Sequence, residues 1–188
     1  PDQLSVKMLR WSQFSPDRKT AMFQALGYLY TDSTKDTLTK LENPKKPKRL
    51  TQQNDHFEFW PSYSPNGKKV VYSTWDDQSL GTVKIVSSKG GKGKTITQRP
   101  GHYVEPRFSN DGKFVVYRKI SGGYLLSPQW SVAPGIYVQA SDHSGKKRDA
   151  KPVRVSKTGF NAQFNADGKR IYFSDMDAKT GLVLKNEK

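Results

Sequence analysis

One short pattern occurs four times along this chain: Gln13-Phe14-Ser15-Pro16-Asp17-Arg18-Lys19, Ser62-Tyr63-Ser64-Pro65-Asn66-Gly67-Lys68, Arg107-Phe108-Ser109-Asn110-Asp111-Gly112-Lys113 and Gln163-Phe164-Asn165-Ala166-Asp167-Gly168-Lys169. Each copy places an aromatic residue before a turn and an apolar stretch after it, at 21–23, 70–72, 115–117 and 171–173. That is the signature of a β-hairpin. Asn-Gly or Asp-Gly at three of the bends suits backbone with positive φ, which Gly adopts without strain and Asn or Asp tolerates. The first copy has Arg18 in the Gly position, which predicts the least regular turn of the four. Measured between Phe14, Tyr63, Phe108 and Phe164, the periods are 49, 45 and 56 residues. A period near 45 that holds several strands points to propeller blades, each too small to bury its apolar face alone.

The same reading places four strands in each unit. In the second they are expected over 57–64, 69–74, 82–87 and 94–97, and in the third over 103–109, 114–118, 136–140 and 153–156. In the first, 28–31 and 48–51 supply the third and fourth strands; in the fourth, 182–185 is the third. The predicted fold class is all-β, a β-propeller segment of four blades with four antiparallel strands each. The blades span about 7–51, 57–97, 103–156 and 161–188 of a single domain, the last either truncated or completed by residues 2–6, where Leu4-Ser5-Val6 precedes Phe14 much as Arg154-Val155-Ser156 precedes Phe164. Such an offset removes exposed sheet edges by closing a ring. The start at Pro1 fits a processed chain or an excised fragment.

The net charge of +15 raises the question of nucleic acid, and the positions of the cations answer it. The densest clusters are Lys45, Lys46, Lys48 and Arg49; Lys89, Lys92 and Lys94; and Lys146, Lys147 and Arg148. Each falls where the third strand of a unit turns into the fourth, on the outer edge of a blade, where Lys discourages edge-to-edge pairing. Nucleic-acid modules interleave cations with stacking aromatics on one surface, whereas here the aromatics alternate within strands, as core residues do. Attraction to an acidic surface or polyanion is the remaining reading of the charge. No apolar run approaches the roughly 20 residues of a membrane-spanning helix, and the chain has no cysteine for disulfides or thiolate metal sites.

Motifs for catalysis are weak. The segment 89–95 resembles a phosphate-binding loop, but Ser88 stands where its first Gly belongs and it links two strands instead of a strand and a helix. Asp175-Met176-Asp177 begins like a calcium loop, yet Lys179 occupies a ligand position, and a hairpin turn is the better reading. The histidines His56, His102 and His143 form no metal-binding spacing, and no Gly-x-Ser-x-Gly elbow occurs. No catalytic residue, metal or cofactor is assigned.

The first strand of a propeller blade lines the central channel, so the residues at its start border a channel mouth. Candidate binding residues there are His56, Glu58 and Trp60 in the second unit, His102, Tyr103 and Glu105 in the third, and Asn161 in the fourth. Phe57, Phe59, Trp60 and Tyr103 also suit the wedge between blades, while His56, Glu58, His102 and Glu105 suit a polar rim, since carboxylates are rarely buried without partners. Trp75-Asp76-Asp77 ends a second strand, on a rim the sequence leaves open. A long loop at about 119–134 offers Tyr124 and Trp130 as further contact candidates.

The units Trp60–Ser73 and Glu105–Lys113 resemble the repeats of TolB-type, WD40-like β-propellers, whose pattern is Pro-x-aromatic-Ser-Pro-Asp-Gly-Lys followed by an apolar strand. Connecting segments such as Val6–Trp11, Phe23–Tyr30, Tyr72–Trp75, Pro100–Val104 and Thr158–Asn161 resemble the propeller that precedes the catalytic domain of bacterial TolB-like amidohydrolases. Arg18, Asn110 and Ala166 depart from the pattern. The resemblance implies a periplasmic or secreted bacterial protein. It also implies a non-catalytic chain that holds a protein or peptide partner, gates substrate entry to a metal-dependent hydrolase, or self-associates to complete a ring. A stand-alone Tol-system-like envelope protein and a polyanion-binding module are the alternatives.

Overall fold

The computed structural model describes residues 6, 8–34, 46–121, 132–142, 151–175 and 183–185. No helix occurs among them. Fifteen strands form four antiparallel sheets. The first contains β1 (Arg10–Phe14), β2 (Thr20–Ala25), β3 (Tyr28–Ser33) and β4 (Lys48–Arg49). The second contains β5 (Phe57–Tyr63), β6 (Lys69–Trp75), β7 (Val83–Ser87) and β8 (Lys94–Thr95). The third contains β9 (His102–Phe108), β10 (Phe114–Ile120), β11 (Gly135–Ala140) and β12 (Val153–Ser156). The fourth contains β13 (Phe160–Phe164), β14 (Ile171–Ser174) and β15 (Val183–Lys185). This is the expected blade order, with each strand paired to the next. Tyr124, Trp130, Lys146, Lys147, Arg148, His143, Leu4 and Ser5 lie outside the described residues, as do 176–182.

The repeated turn explains its own residue types. Ser15, Ser64 and Ser109 accept the amides of Thr20, Lys69 and Phe114 through Oγ at 2.9–3.0 Å, and Asn165 Oδ1 accepts that of Arg170 in the same way at 2.9 Å. The Oδ1 atoms of Asp17, Asn66, Asp111 and Asp167 accept the amides of the lysines two positions on, at 2.8–3.1 Å. At the bend, Gly67, Gly112 and Gly168 have φ of 67°, 72° and 72°. Arg18 adopts the same conformation at 57° and donates its amide to Ser15 O at 2.8 Å, just as Gly67 donates to Ser64 O at 2.8 Å. The expectation of an irregular first turn is therefore corrected: the hydrogen bonds from Ser15 and Asp17 impose the common geometry, and Arg18 carries the strain of a left-handed non-glycine residue.

Alternation along the second strand of each blade divides its side chains between two seams. Val70 and Tyr72 pack with Met22, Leu29, Leu50 and Val86 between the first and second blades. Val71 faces the other way, into a cluster with Val83, Ile85, Ile96, Tyr103, Phe108, Val115 and Tyr117 between the second and third. Val116 joins Ile136, Ala162, Ile171 and Phe173 between the third and fourth. The aromatic anchors Tyr63, Phe108 and Phe164 each join the seam with the preceding blade. Phe14, the equivalent residue of the first blade, is 66% exposed against 8% for Phe108, because no described blade covers that face.

Buried polar side chains stitch the seam between the first two blades. Gly93 N and Tyr72 Oη both donate to Gln53 Oε1, at 2.9 and 3.3 Å, and a Cβ at Gly93 would stand 2.0 Å from the Tyr72 hydroxyl. The glycine-rich segment 89–95 is thus a strand-to-strand connection. Its Gly91 donates to Leu50 O at 3.0 Å and accepts from Gln52 N at 3.1 Å, tying it to the first blade. Arg49, one of the predicted edge charges, is also tied down: its guanidinium lies 3.7 Å from the centre of the Tyr28 ring and donates to Asn54 Oδ1 at 2.6 Å and to Gln53 O.

Candidate binding rim on the inner strands

Every inner strand carries the same irregularity, three residues before its aromatic anchor. The register of β1 on β2 skips between Arg10 and Gln13, that of β5 on β6 between Phe59 and Ser62, and that of β13 on β14 between Phe160 and Gln163. In β9 the skip leaves Glu105 and Pro106 opposite one residue of β10. Two residues thus oppose one, a β-bulge that bends the strand and re-aims a side chain. The single residue opposite each bulge is Phe23, Tyr72, Tyr117 or Phe173. The first bulged residues, Trp11, Trp60, Glu105 and Asn161, have φ of 49°, 52°, 57° and 54°, a left-handed conformation that costs non-glycine residues about 1–3 kcal/mol.

The bulges bring these residues together across blades. The rings of Trp11 and Trp60 lie 4.9 Å apart, and Trp11 meets Phe59 edge-on at 5.9 Å. Gln13 Nε2 donates to Pro61 O at 2.8 Å. Between the third and fourth blades, Glu105 Oε2 accepts the Asn161 backbone amide at 2.8 Å. Inner strands of consecutive blades are in contact (β1 with β5, β5 with β9, β9 with β13), so the four bulges form one row along the converging side of the segment. Trp11 and Gln13 were not singled out from sequence, although Trp11 precedes Phe14 by the same three residues that separate Trp60 from Tyr63.

The starts of the inner strands form a rim beside this row. His56, Phe57 and Trp75-Asp76-Asp77 line a cleft of about 390 Å³ with Tyr28, Asn54 and Asp55, which puts the end of β6 on the same rim as the start of β5. His56 is buried, its Nδ1 2.8 Å from Asp55 Oδ1, and burial followed by the nearby Lys84 charge holds its pKa below the ordinary histidine value. His102 is half-buried against Trp75, with ring centres 4.9 Å apart; burial and then Arg118 lower its pKa too. Asp76 accepts the Ser79 amide and hydroxyl at 2.8 and 2.7 Å, contacts that lower its pKa.

Two of the predicted residues lie in seams. Glu58 is fully buried between the first two blades, where Oε2 accepts the Leu29 amide at 2.8 Å while its own amide donates to Gly27 O at 2.8 Å. Burial raises its pKa, and the Thr51 hydroxyl and the Leu29 amide oppose the rise. The expectation that Glu58 borders the channel mouth is corrected: its side chain is fully buried, with one carboxyl oxygen paired to a backbone amide 29 residues upstream. Tyr103 is buried in the seam between the second and third blades, its hydroxyl donating to Arg99 O at 2.7 Å.

No protein-family profile and no curated protein matches the chain. Solved structures do match. A TolB-type protein of Agrobacterium tumefaciens superposes with a TM-score of 0.67 at 20% identity, over 94% of this chain and 57% of its own. TolB from Acinetobacter baumannii gives 0.62 at 15% identity, over 96% and 41%. An oligogalacturonate lyase from Vibrio parahaemolyticus gives 0.66 at 10% identity, over 92% and 48%. The chain therefore has the TolB-like propeller fold, and it spans about half the length of the structures it matches.

Proposed function

We propose that this chain is a non-catalytic propeller module that holds a protein or peptide segment along its inner strands. The observation that carries this reading is the row of four strained, bulged residues, Trp11, Trp60, Glu105 and Asn161. Strain at equivalent positions of four sheets persists only where the surroundings enforce it, and such positions concentrate at recognition surfaces. The row offers an aromatic shelf at one end and a carboxylate beside an exposed amide at the other, which suits an extended peptide with an apolar and a polar side chain. His102, Trp75 and the acidic cleft around His56 would extend the contact onto the rim.

The TolB-like fold favours an exported bacterial setting, either as the accessory domain that restricts substrate entry to a larger hydrolase or as an envelope binding protein. In both, the open face around Phe14 is covered by further blades or by a second copy of the chain. Panning a displayed random peptide library against residues 1–188 tests the binding reading. Selected peptides should lose at least about tenfold in affinity on Trp60→Ala and on Glu105→Ala, the scale of one interface anchor, and be indifferent to Lys89→Gln on the outer loop. Failure to select any peptide, or selection of peptides that ignore the two inner-strand variants, overturns it.

A further inference from the structure

A second cavity, of about 400 Å³, lies on the flank of the third blade. We propose that this cavity, formed by Arg99, Lys119 and Lys151 over Tyr103, Tyr117 and Tyr137, binds a small organic anion in which a carboxylate or phosphate is joined to a flat apolar group. The three cations stand far apart in sequence and belong to none of its basic clusters; the fold alone brings them to one place. Among the described residues, no acidic side chain lines the cavity. Arg99 and Lys151 are exposed, whereas Lys119 is half-buried, its Nζ 5.8 Å from the centre of the Tyr103 ring. A partly desolvated cation grouped with two others, and with no carboxylate among the described lining residues, is stabilised by an anion, and a guanidinium beside it offers the paired donors that carboxylates and phosphates accept. Burial, then Arg99, lowers the Lys119 pKa, as such crowding requires.

The wall and floor indicate the rest of the ligand. Tyr117 stacks on Tyr137 at 5.9 Å with ring planes 10° apart, and Tyr103 meets Tyr117 edge-on at 5.4 Å. All three hydroxyls are already donated within the protein: Tyr103 to Arg99 O, Tyr117 to Gln139 Oε1 at 2.7 Å, and Tyr137 to Ala133 O at 2.5 Å. These bonds fix the positions of Arg99 and of the opposite wall, and they leave ring carbon and cationic nitrogen as the main surfaces offered. The volume suits one small molecule. This site is independent of the peptide-binding reading and would survive its failure.

Calorimetric titration of the 188-residue chain with isophthalate, its neutral analogue isophthalamide and inorganic phosphate tests the proposal. Isophthalate should bind with a Kd on the order of 1 mM or tighter, and isophthalamide at least about tenfold more weakly. Lys119→Gln and Arg99→Gln should each weaken isophthalate about tenfold, Lys119→Arg should retain it, and Lys89→Gln on the outer loop should leave it unchanged. Should Lys119→Gln fail to fold, the exposed Arg99 and Lys151 carry the same test through their Gln variants. Equal binding of isophthalate and isophthalamide, or equal loss on Lys89→Gln and Lys119→Gln, overturns an anion site here. Phosphate binding as tight as isophthalate overturns the flat apolar part.

Discussion

At the scale of single residues, the turn motif is a set of backbone acceptors, and its chemistry has measurable consequences. Arg18 holds a left-handed backbone in a turn whose three relatives use Gly. Arg18→Gly removes that strain at the cost of a more flexible unfolded chain, and it should stabilise the protein by about 0.5–1 kcal/mol in urea unfolding. Asp17, Asp111 and Asp167 have lowered pKa values, the first two through the serine hydroxyl bonded to each, the third through the Lys169 amide. Their contribution to stability is fully present above the unfolded aspartate value of about 3.9 and is lost as pH falls through the lower folded values. The triple variant Asp17→Asn, Asp111→Asn, Asp167→Asn keeps the acceptor that Asn66 already supplies in the second turn. Its urea midpoint should therefore fall less than the parent's between pH 5 and pH 3.

At the scale of the element, strand positions were legible because each hairpin announces itself through an Asx residue at its bend, followed by Gly in three of the four, and through period-2 apolar residues. The second blade's strands fall within one or two residues of expectation at nearly every boundary. The bulges were not, because Trp and Glu carry no local signal for positive φ and Asn161 alone among the four bulged residues is of a type that favours it; the constant three-residue offset from each aromatic anchor is what records them. The burial of Glu58 was equally hidden, since its partner amide belongs to another blade. Its raised pKa works in the opposite sense to the turn aspartates: its contribution is present below the unfolded glutamate value of about 4.3 and is lost as pH rises through the higher folded value. Glu58→Gln keeps an acceptor for Leu29 without a titrating group. Its stability relative to the parent should rise from pH 4 upward and then level off, whereas Glu58→Ala should follow the same pH trend but lie about 1–3 kcal/mol below Glu58→Gln throughout, because it leaves the Leu29 amide unpaired.

At the scale of the whole molecule, the blades form a series held by three apolar seams, each anchored by the aromatic of the blade that follows. Phe108→Ala should cost about 3–5 kcal/mol in urea unfolding, the value for emptying a packed aromatic site, and Phe14→Ala under about 1 kcal/mol, because its ring is largely in water. The sharing of one strand between two seams has a further effect. Because neighbouring residues of β6 serve opposite faces, deleting or inserting a single residue there would exchange the contents of both seams at once, sending Val71 where Tyr72 belongs. Variation in chain length is thereby confined to the connections between strands, and the stack of sheets itself can grow or shrink only by complete blades.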